Sequence, residues 1–338
     1  MVKNGKNHDP SSMKTKDGSQ YMENKEKLLV EVAKMYYYYG YNQKKIAEIL
    51  DLSRAYVCQL LETARREGIV EIKVRDYSSD DRELEGCFKE TYGLKYVRIF
   101  KNQDFLEREK MIDAMAREIC QVLNEKVSNG NIIAFSWGNT LYHISQQLKI
   151  DRDFKDVRII PLSGGMSNIQ KNIYVSEIST NFAGAFHGTP YVIPLPVLVE
   201  NSSIKASIYT DSVVANLLEM GRQADIAVFT VGNPGEDNAM FRSGFIDKND
   251  LKRLKKNGLV GDLCAHFMDK DGEICDREYD DRTISISLED MRKIPLKICV
   301  VYDVSKALIL QSILKKGYID YLFVDEATVH LLNLAKIK

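Results

Sequence analysis

Residues 42–68, NQKKIAEILDLSRAYVCQLLETARREG, contain two short amphipathic segments joined by a tight turn. Each segment follows a residue type that caps helix N-termini, Asn42 in the first and Ser53 in the second. The apolar positions recur at helical spacing and are Ile46, Ala47 and Leu50, then Val57, Leu60, Leu61 and Ala64. The pattern therefore predicts two helices that pack across a turn, with Gly68 ending the second.

The second helix carries polar side chains on its outward N-terminal face, where they can contact base edges and phosphates. We therefore predict a DNA-binding helix-turn-helix whose contacts come from Ser53, Arg54, Ala55, Tyr56 and Gln59. An ordinary helical hairpin is the alternative. The turn contains Asp51 where this motif usually has Gly, and Asp tolerates the left-handed conformation less well than Gly.

The chain has 338 residues and a formal net charge of -1, a length that suits a small head and a larger core domain. Residues 1–75 hold 14 Lys and Arg against 10 Asp and Glu, a weak surplus of the sign that DNA binding needs. The six cysteines are widely spaced, which favours reduced and mostly buried thiols. Without a signal peptide or a membrane-spanning run, the expected location is the cytoplasm.

The expected domains are a disordered tail (1–22), a helix-turn-helix domain (23–75), a linker with a connecting helix (76–92) and a larger domain (93–338). Residues 23–39 show helical apolar spacing, and residues 69–74 alternate as a strand that could form a wing. Four consecutive tyrosines, 36–39, could stack on bases. Packing in the core and at interfaces is the favoured interpretation, since half of them must face the other helices.

From Gly93 onward, strand-like and helix-like segments alternate. Strands are predicted at 95–100, 131–137, 157–162, 191–199, 225–231, 297–301 and 321–324, and helices at 106–127, 140–148, 172–185, 204–221, 305–315 and 327–334. The stretch 266–275 resembles a hairpin inserted at one edge. Several strands are continuous apolar runs, as expected when helices cover both faces. The predicted fold class is α/β, with a Rossmann-like, mostly parallel sheet.

Ligands of such sheets bind beyond the carboxyl ends of the strands. Three predicted strands lead there into small polar loops, which are Gly138-Asn139-Thr140, Ser163-Gly164-Gly165 and Gly232-Asn233-Pro234-Gly235. Glycines permit close backbone approach to an anion, and Arg242 and Lys306 could complete a phosphate site. Surface salt bridging is the alternative for both cations. No dinucleotide or nucleoside triphosphate motif is present, and no metal site or cofactor is predicted.

Six motifs together resemble the SorC family of bacterial sugar-responsive transcriptional regulators over residues 25–335. They are residues 42–74, FSWGNTL (135–141), IIPLSGG (159–165), VGDLCAHFMDKDG (260–272), ISISLEDMRKIP (286–295) and YIDYLFVDEATVHLLN (318–333). The resemblance implies a domain related in fold to sugar-phosphate isomerases, which senses a phosphorylated sugar, in a dimer or tetramer. It implies an effector site at Asn139, Thr140, Gly164, Gly165, Arg242, Asp262 and Lys306, with Arg242 and Lys306 toward the phosphate. Gly138, from the first loop, completes the predicted effector site.

The sequence departs from the family pattern at Asn139, where a hydroxyl is usual, and at Gly232-Asn233-Pro234. Ser163 cannot form a Schiff base, so recognition through this position should be non-covalent. The predicted function is a repressor or activator that binds operator DNA and responds to a sugar phosphate, and no catalytic residue is predicted. A sugar-phosphate isomerase-like enzyme is the main alternative, although His143, His187, His266 and His330 are scattered. A sugar-binding protein that only mediates assembly is the least favoured of the three functional hypotheses.

Overall fold

The computed structural model describes the backbone of residues 16–70, 81–102, 108–165 and 174–336, and the side chains of 26–70, 83–102, 108–165 and 174–332. The chain divides into two units, Met1–Ser78 and Ser79–Lys338. Within the described residues, no helix combines the length and the apolar character that crossing a membrane requires.

The first unit, called the head below, contains three helices: α1 (Lys16–Tyr37), α2 (Gln43–Leu50) and α3 (Arg54–Arg66). Helix α1 begins earlier than expected, so the predicted disorder of 1–22 is wrong for residues 16–22, which lead directly into a run of good helix formers. Residues 1–15 lie outside the described part of the chain. The predicted wing falls mainly on 71–74, also outside it, and Ile69 and Val70 pack on the head without forming a strand.

One cluster of buried apolar residues holds the head together. It consists of Leu29, Val32, Ala33, Met35, Ile46, Ala47, Val57, Leu60, Leu61 and Ala64. Every apolar position predicted for the stripe of α3 is buried here. The amphipathic spacing therefore identifies which face of each helix meets the others.

The second unit contains a seven-stranded parallel sheet flanked by helices. Its strands are β1 (Tyr96–Phe100), β2 (Ile132–Phe135), β3 (Arg158–Pro161), β4 (Thr189–Pro190), β5 (Ile226–Phe229), β9 (Leu296–Val301) and β10 (Tyr321–Asp325). The helices are α4 (Asp81–Tyr92), α5 (Arg108–Lys126), α6 (Asn139–Gln146), α7 (Val175–Phe186), α8 (Ser202–Tyr209), α9 (Ser212–Arg222), α10 (Ala239–Arg242), α11 (Lys248–Lys256), α12 (Arg277–Asp280), α13 (Leu288–Lys293), α14 (Ala307–Lys315) and α15 (Glu326–Lys336).

The strand order is β1-β10-β9-β5-β2-β3-β4, with parallel pairing throughout. Successive strand residues enter two separate apolar clusters: Ile133 and Ile226 belong to one, Ala134 and Ala227 to the other. Both faces of the sheet are therefore covered, which confirms the predicted α/β class. Strand β2 has β3 on one side and β5 on the other. The chain runs from β2 outward to β3 on the first side and from β5 outward to β9 on the second.

A three-stranded antiparallel sheet lies beyond β5. It pairs β6 (Val231–Gly232) with β7 (Gly261–Leu263), and β7 with β8 (His266–Met268). The hairpin predicted at 266–275 is confirmed, because Met268 forms an antiparallel bridge with Ile274 and the Cys275 N–H donates to the Phe267 carbonyl. The turn that joins β7 to β8 lies just before it, at Cys264 and Ala265, which both have positive φ angles. This small sheet places Asp262 opposite Gly232.

Two predicted elements differ from the structure. The strand expected at 191–199 is wrong: the chain pairs at β4 and then only at an isolated bridge, Leu198 with Thr283, since Pro194 and Pro196 have no N–H to donate. The helix expected at 204–221 is two helices. Asp211 caps the second by accepting hydrogen bonds from the amides of Val213 and Val214.

Helix α4 lies within the expected linker region, 76–92, but is an integral part of the second unit. Phe88 is buried in the same cluster as Val97 and Ile99. The backbone N–H of Ile99 donates to the Glu85 carboxylate at 2.9 Å. The second unit thus begins before Gly93, because α4 covers strand β1.

Candidate functional site

The turn between α2 and α3 is built by local hydrogen bonds. The Asn42 side chain accepts from the Lys45 amide at 2.9 Å, and the Ser53 hydroxyl accepts from the Tyr56 amide at 3.1 Å, so both predicted N-caps are confirmed. Asp51 adopts the left-handed conformation, φ 53° and ψ 45°, that the tight turn requires. The Leu52 N–H donates to the Ala47 carbonyl at 2.9 Å, which ties the turn back to α2.

The polar face of α3 is open to solvent. All five residues predicted to contact DNA are exposed: Ser53, Arg54, Ala55, Tyr56 and Gln59. Val57 and Leu60 of the same helix are buried. A helix held by its apolar stripe and exposed at its N-terminal residues can enter the major groove of DNA.

A cavity of about 550 Å³ lies in the second unit at the carboxyl ends of β2, β3, β5 and β9. The chain order reverses between β2 and β5, the place where parallel α/β sheets bind ligands. The lining residues are Arg108, Ser136, Trp137, Gly138, Asn139, Thr140, Ser163, Thr230, Val231, Gly232, Asn233, Asp237, Asn238, Ala239, Met240, Arg242, Ser243, Asp262, Cys264, Ala265, Tyr302, Asp303 and Lys306. The structure therefore brings together six of the eight predicted effector residues.

Gly164 and Gly165 are the two that it does not bring there. A Cβ on Gly164 would lie 2.6 Å from the Pro196 carbonyl oxygen, and Gly165 faces the Val175 side chain. Both glycines serve close packing behind the cavity wall. Ser163 lines the cavity in their place, and its hydroxyl accepts a 2.8 Å hydrogen bond from the Trp137 indole.

Asp262 is the buried carboxylate of the cavity. One carboxylate oxygen accepts from the Asn238 side-chain amide at 2.7 Å, and the other accepts from the Ala265 N–H at 3.1 Å. Burial raises the pKa of the Asp262 carboxyl, while these hydrogen bonds and the nearby Lys306 charge oppose that rise. Each oxygen retains a lone pair that could accept a ligand hydroxyl.

Gly232 permits this arrangement, because a Cβ at position 232 would overlap the Asp262 carboxylate and crowd Asn238. Asn238 also caps α10, the short helix that ends at Arg242, by accepting from the Met240 amide at 2.8 Å. One side chain thus links the Asp262 carboxylate to the segment that carries Arg242.

Among the described residues, three cationic side chains line the cavity. Lys306 lies after β9, with its ammonium nitrogen 3.4 Å from the Thr230 hydroxyl. Burial lowers the pKa of the Lys306 ammonium, although the Asp303 carboxylate favours the charged form. Arg108 lies over the Tyr302 ring at 5.4 Å, and Arg242 is exposed. Helix α6 adds free N–H groups at Asn139 and Thr140, because no side chain caps its N-terminus at Gly138.

Arg108 and the Asn238–Asp262 pair are not among the features predicted from the sequence. Asn238 had a detectable signal, since Asn commonly caps a following helix, but nothing in the sequence points to its carboxylate partner. The described histidines, His143, His187, His266 and His330, all lie outside the cavity lining. The six cysteines are free, and three of them, Cys120, Cys264 and Cys299, are buried.

Comparison with known proteins yields two family matches. Residues 77–333 match a domain family described as "Putative sugar-binding domain", and residues 30–67 match region 4 of sigma-70. A Bacillus subtilis (strain 168) protein named deoxyribonucleoside regulator is 34% identical over 310 residues, covering 91% of this chain and 97% of its own.

Two solved structures share the fold. A transcriptional regulator from Streptococcus pneumoniae TIGR4 superposes with a TM-score of 0.71 at 25% identity, covering 76% of this chain and 98% of its own. The full-length sorbitol operon regulator SorC from Klebsiella pneumoniae superposes with a TM-score of 0.68 at 23% identity, covering 90% of this chain and 98% of its own. The second similarity extends over both units.

Proposed function

This chain belongs to the SorC family of sugar-binding transcriptional regulators, and we propose that its effector is a phosphorylated sugar that binds the cavity and changes the affinity of the chain for operator DNA. The family, the helix-turn-helix head and the sugar-binding domain make it a DNA-binding transcriptional regulator. The chemistry of the effector and the residues that contact each ligand are the proposed part.

The clustering of Arg108, Arg242 and Lys306 around one cavity carries the proposal that the sugar is phosphorylated. A dianionic phosphate needs charged donors, and the free N–H groups at the N-terminus of α6 add to the same field. Asp262, Asn139 and Thr140 would then contact sugar hydroxyls. The glycines of the 164–165 pair would support the wall without touching the ligand.

On DNA, we propose that Ser53, Arg54, Ala55, Tyr56 and Gln59 contact the major groove and its flanking phosphates. Two heads of a homo-oligomer would occupy half-sites about 34 to 36 Å apart, one helical turn of DNA. An effector changes operator affinity only by binding one arrangement of the protein better, typically by about 1 to 3 kcal/mol. We propose a cytoplasmic regulator, because bacterial operator DNA is there.

A sensing role fits this cavity better than catalysis of sugar-phosphate isomerisation. Isomerisation needs an acid and a base poised beside the substrate, commonly a carboxylate with a histidine. No described histidine lines the cavity. His266, whose charge acts on Asp262, has its ring nitrogens engaged outside the cavity by the Asp280 carboxylate and the Ile286 carbonyl. Asp262 is instead held by Asn238 and the Ala265 amide.

A thermal-shift screen of sugar phosphates, each paired with its unphosphorylated sugar, tests the proposal. Deoxyribose phosphates come first in the screen, because the 34% identical relative is named a deoxyribonucleoside regulator. We expect stabilisation by a phosphorylated sugar and none by its unphosphorylated form. Stabilisation by both forms alike, or conversion of the sugar phosphate into a product, would contradict the proposal.

A further inference from the structure

The end of helix α1 exposes tyrosines that the helix-turn-helix does not use for packing. Tyr38 is 80% exposed and Tyr39 is 62% exposed. The sequence predicts packing in the core and at interfaces for residues 36–39, with half of them facing the other helices. Of these four, Tyr37 packs against the head cluster, and Tyr38 and Tyr39 do not. The reason is that α1 ends at Tyr37, so the next residues leave the helical face that meets α2 and α3.

Two exposed tyrosines, the half-buried Tyr41 and an exposed lysine lie close together in the chain, and we call them the tyrosine patch: Tyr38, Tyr39, Tyr41 and Lys45. Gly40 has a φ angle of 70° and reverses the chain, and the Tyr41 amide donates back to the Met35 carbonyl. The Tyr39 and Tyr41 rings lie 6.1 Å apart, and the Lys45 ammonium nitrogen lies 5.1 Å from the Tyr41 ring centre. These contacts hold Tyr39 and Tyr41 against the first turn of α2.

The charge and position of the patch identify its partner. Lys44 and Lys45 are exposed in the first turn of α2, where the helix dipole is also positive. In a helix-turn-helix the first helix crosses the DNA backbone while the second enters the major groove. Phenol hydroxyls are phosphate donors in protein–DNA complexes. Cationic and phenolic donors therefore meet at the part of the head that faces phosphates.

We infer that the tyrosine patch binds the phosphodiester backbone beside the major groove that α3 enters. The Tyr38 and Tyr39 hydroxyls donate to phosphate oxygens, and Lys45 supplies positive charge. Stacking on bases fits less well, because duplex bases are already stacked on one another and the Tyr39 and Tyr41 rings contact each other. The inference rests on the proposed role of α3 as the reading helix and adds a second, sequence-independent contact to it.

The test is DNA binding by the full chain, measured by fluorescence anisotropy with two duplexes. One is a random-sequence duplex, and the other is a duplex that the wild-type chain selects from a random pool. The variant with Tyr38→Phe and Tyr39→Phe keeps both rings and removes both hydroxyls. We expect it to bind both duplexes about tenfold more weakly with an unchanged salt dependence, because the lost donors are neutral.

Lys45→Ala should weaken the binding of both duplexes and reduce the slope of log affinity against log salt concentration by about one. Tyr37→Phe is the matched control, since Tyr37 packs on the head core, and it should bind like the wild type. Wild-type affinity in the double Phe variant would overturn the inference, as would a loss confined to the selected duplex, which indicates base reading.

A change in oligomeric state of the double Phe variant by light scattering, with random-duplex binding retained, would also overturn it in favour of a second copy of the chain. Failure of the wild-type chain to bind either duplex would overturn the proposed function together with this inference. If the wild-type chain binds DNA and the double Phe and Lys45→Ala variants bind it equally tightly, only the inference is overturned. The two failures are therefore distinguishable.

Discussion

In the head, the residues proposed to enter the major groove lie within residues 53–59, exposed at the N-terminal end of one helix. In the second unit, the cavity draws its residues from segments spread between Arg108 and Lys306. The head holds its functional side chains by local capping and a small apolar cluster. The cavity instead depends on the register of a whole sheet, so a distant substitution can change its shape.

Gly232→Ala should have the largest effect, and the effect should fall on the second unit and not on the head. The added Cβ overlaps the Asp262 carboxylate, so we expect the second unit to lose about 3 kcal/mol of stability and its response to sugar phosphate. Chemical denaturation followed by Trp137 fluorescence measures the loss. Gly184→Ala in α7 is the matched control, because its Cβ meets no atom within 4 Å. Equal stability of the two variants would contradict the packing assigned to Gly232.

Lys306→Met tests the charge of the cavity with little change in side-chain length. Removing a cation that contacts phosphate should weaken sugar-phosphate binding about a hundredfold, or about 3 kcal/mol, and leave random-sequence DNA binding unchanged. Calorimetric titration measures the affinity. Lys315→Met, which removes an exposed lysine from the same helix region, should bind as the wild type does. A loss of equal size in both variants would show that Lys306 has no specific role.

Arg54→Ala is the corresponding change in the head. Loss of a base or phosphate contact should cost about 2 kcal/mol of affinity for the selected duplex and reduce the salt dependence, with sugar-phosphate binding intact. Arg65→Ala removes the same charge from the far end of α3, and the loss of affinity for the selected duplex should be smaller. If the two variants lost equal affinity for the selected duplex, general electrostatic attraction would explain DNA binding. The residues assigned to the major groove would then be wrong.

The pH dependence of sugar-phosphate binding should reflect Lys306. Its pKa is lowered by burial, so Lys306 loses its charge at a lower pH than an ordinary lysine, whose pKa is about 10.4. Above neutral pH the ligand phosphate is already dianionic, so affinity should fall by about tenfold for each pH unit above the lowered pKa. Lys306→Arg should bind with an affinity that stays constant over the same range. A decline shared by both proteins would assign the titration to another group.

Asp51→Gly should produce the smallest effect, confined to the head. Asp51 holds a left-handed conformation that Gly adopts more readily, so the variant should gain about 0.5 kcal/mol of local stability. Hydrogen exchange of α2 and α3 amides in the full chain measures it as slower exchange. Asp156→Gly, at a left-handed position in the second unit, should leave those amides unchanged. Faster exchange in the Asp51 variant would show that the Asp side chain stabilises the turn.

The sequence predicts the head well because its signals are local. Capping residues, apolar spacing and the turn all lie within residues 42–68, and the structure confirms the caps at Asn42 and Ser53. The exposure of Tyr38 and Tyr39 was not predictable from spacing alone, because it depends on where α1 ends. Gly40, which follows the four tyrosines, was the available signal.

In the second unit, the sequence predicts the alternation of strands and helices, the position of Lys306 after β9, and Arg242 as a cation of the site. The Asn238–Asp262 contact could not, since it forms only when the β7–β8 hairpin returns beside β6. The wrong strand at 191–199 was avoidable, because Pro194 and Pro196 lack N–H groups. Hydrophobicity predicts which strands are buried, whereas side-chain contacts between distant segments require the register itself.

Reciprocal coupling between the two regions is the most direct test of a regulator whose cavity controls its head. The measurement is the affinity of the full chain for its selected duplex with and without the sugar phosphate found by screening, together with sugar-phosphate affinity with and without the duplex. We predict the same factor in both directions, between about 5 and 150, since linkage requires equality. Unchanged affinities in both directions, with both ligands bound, would contradict control of the head by the cavity.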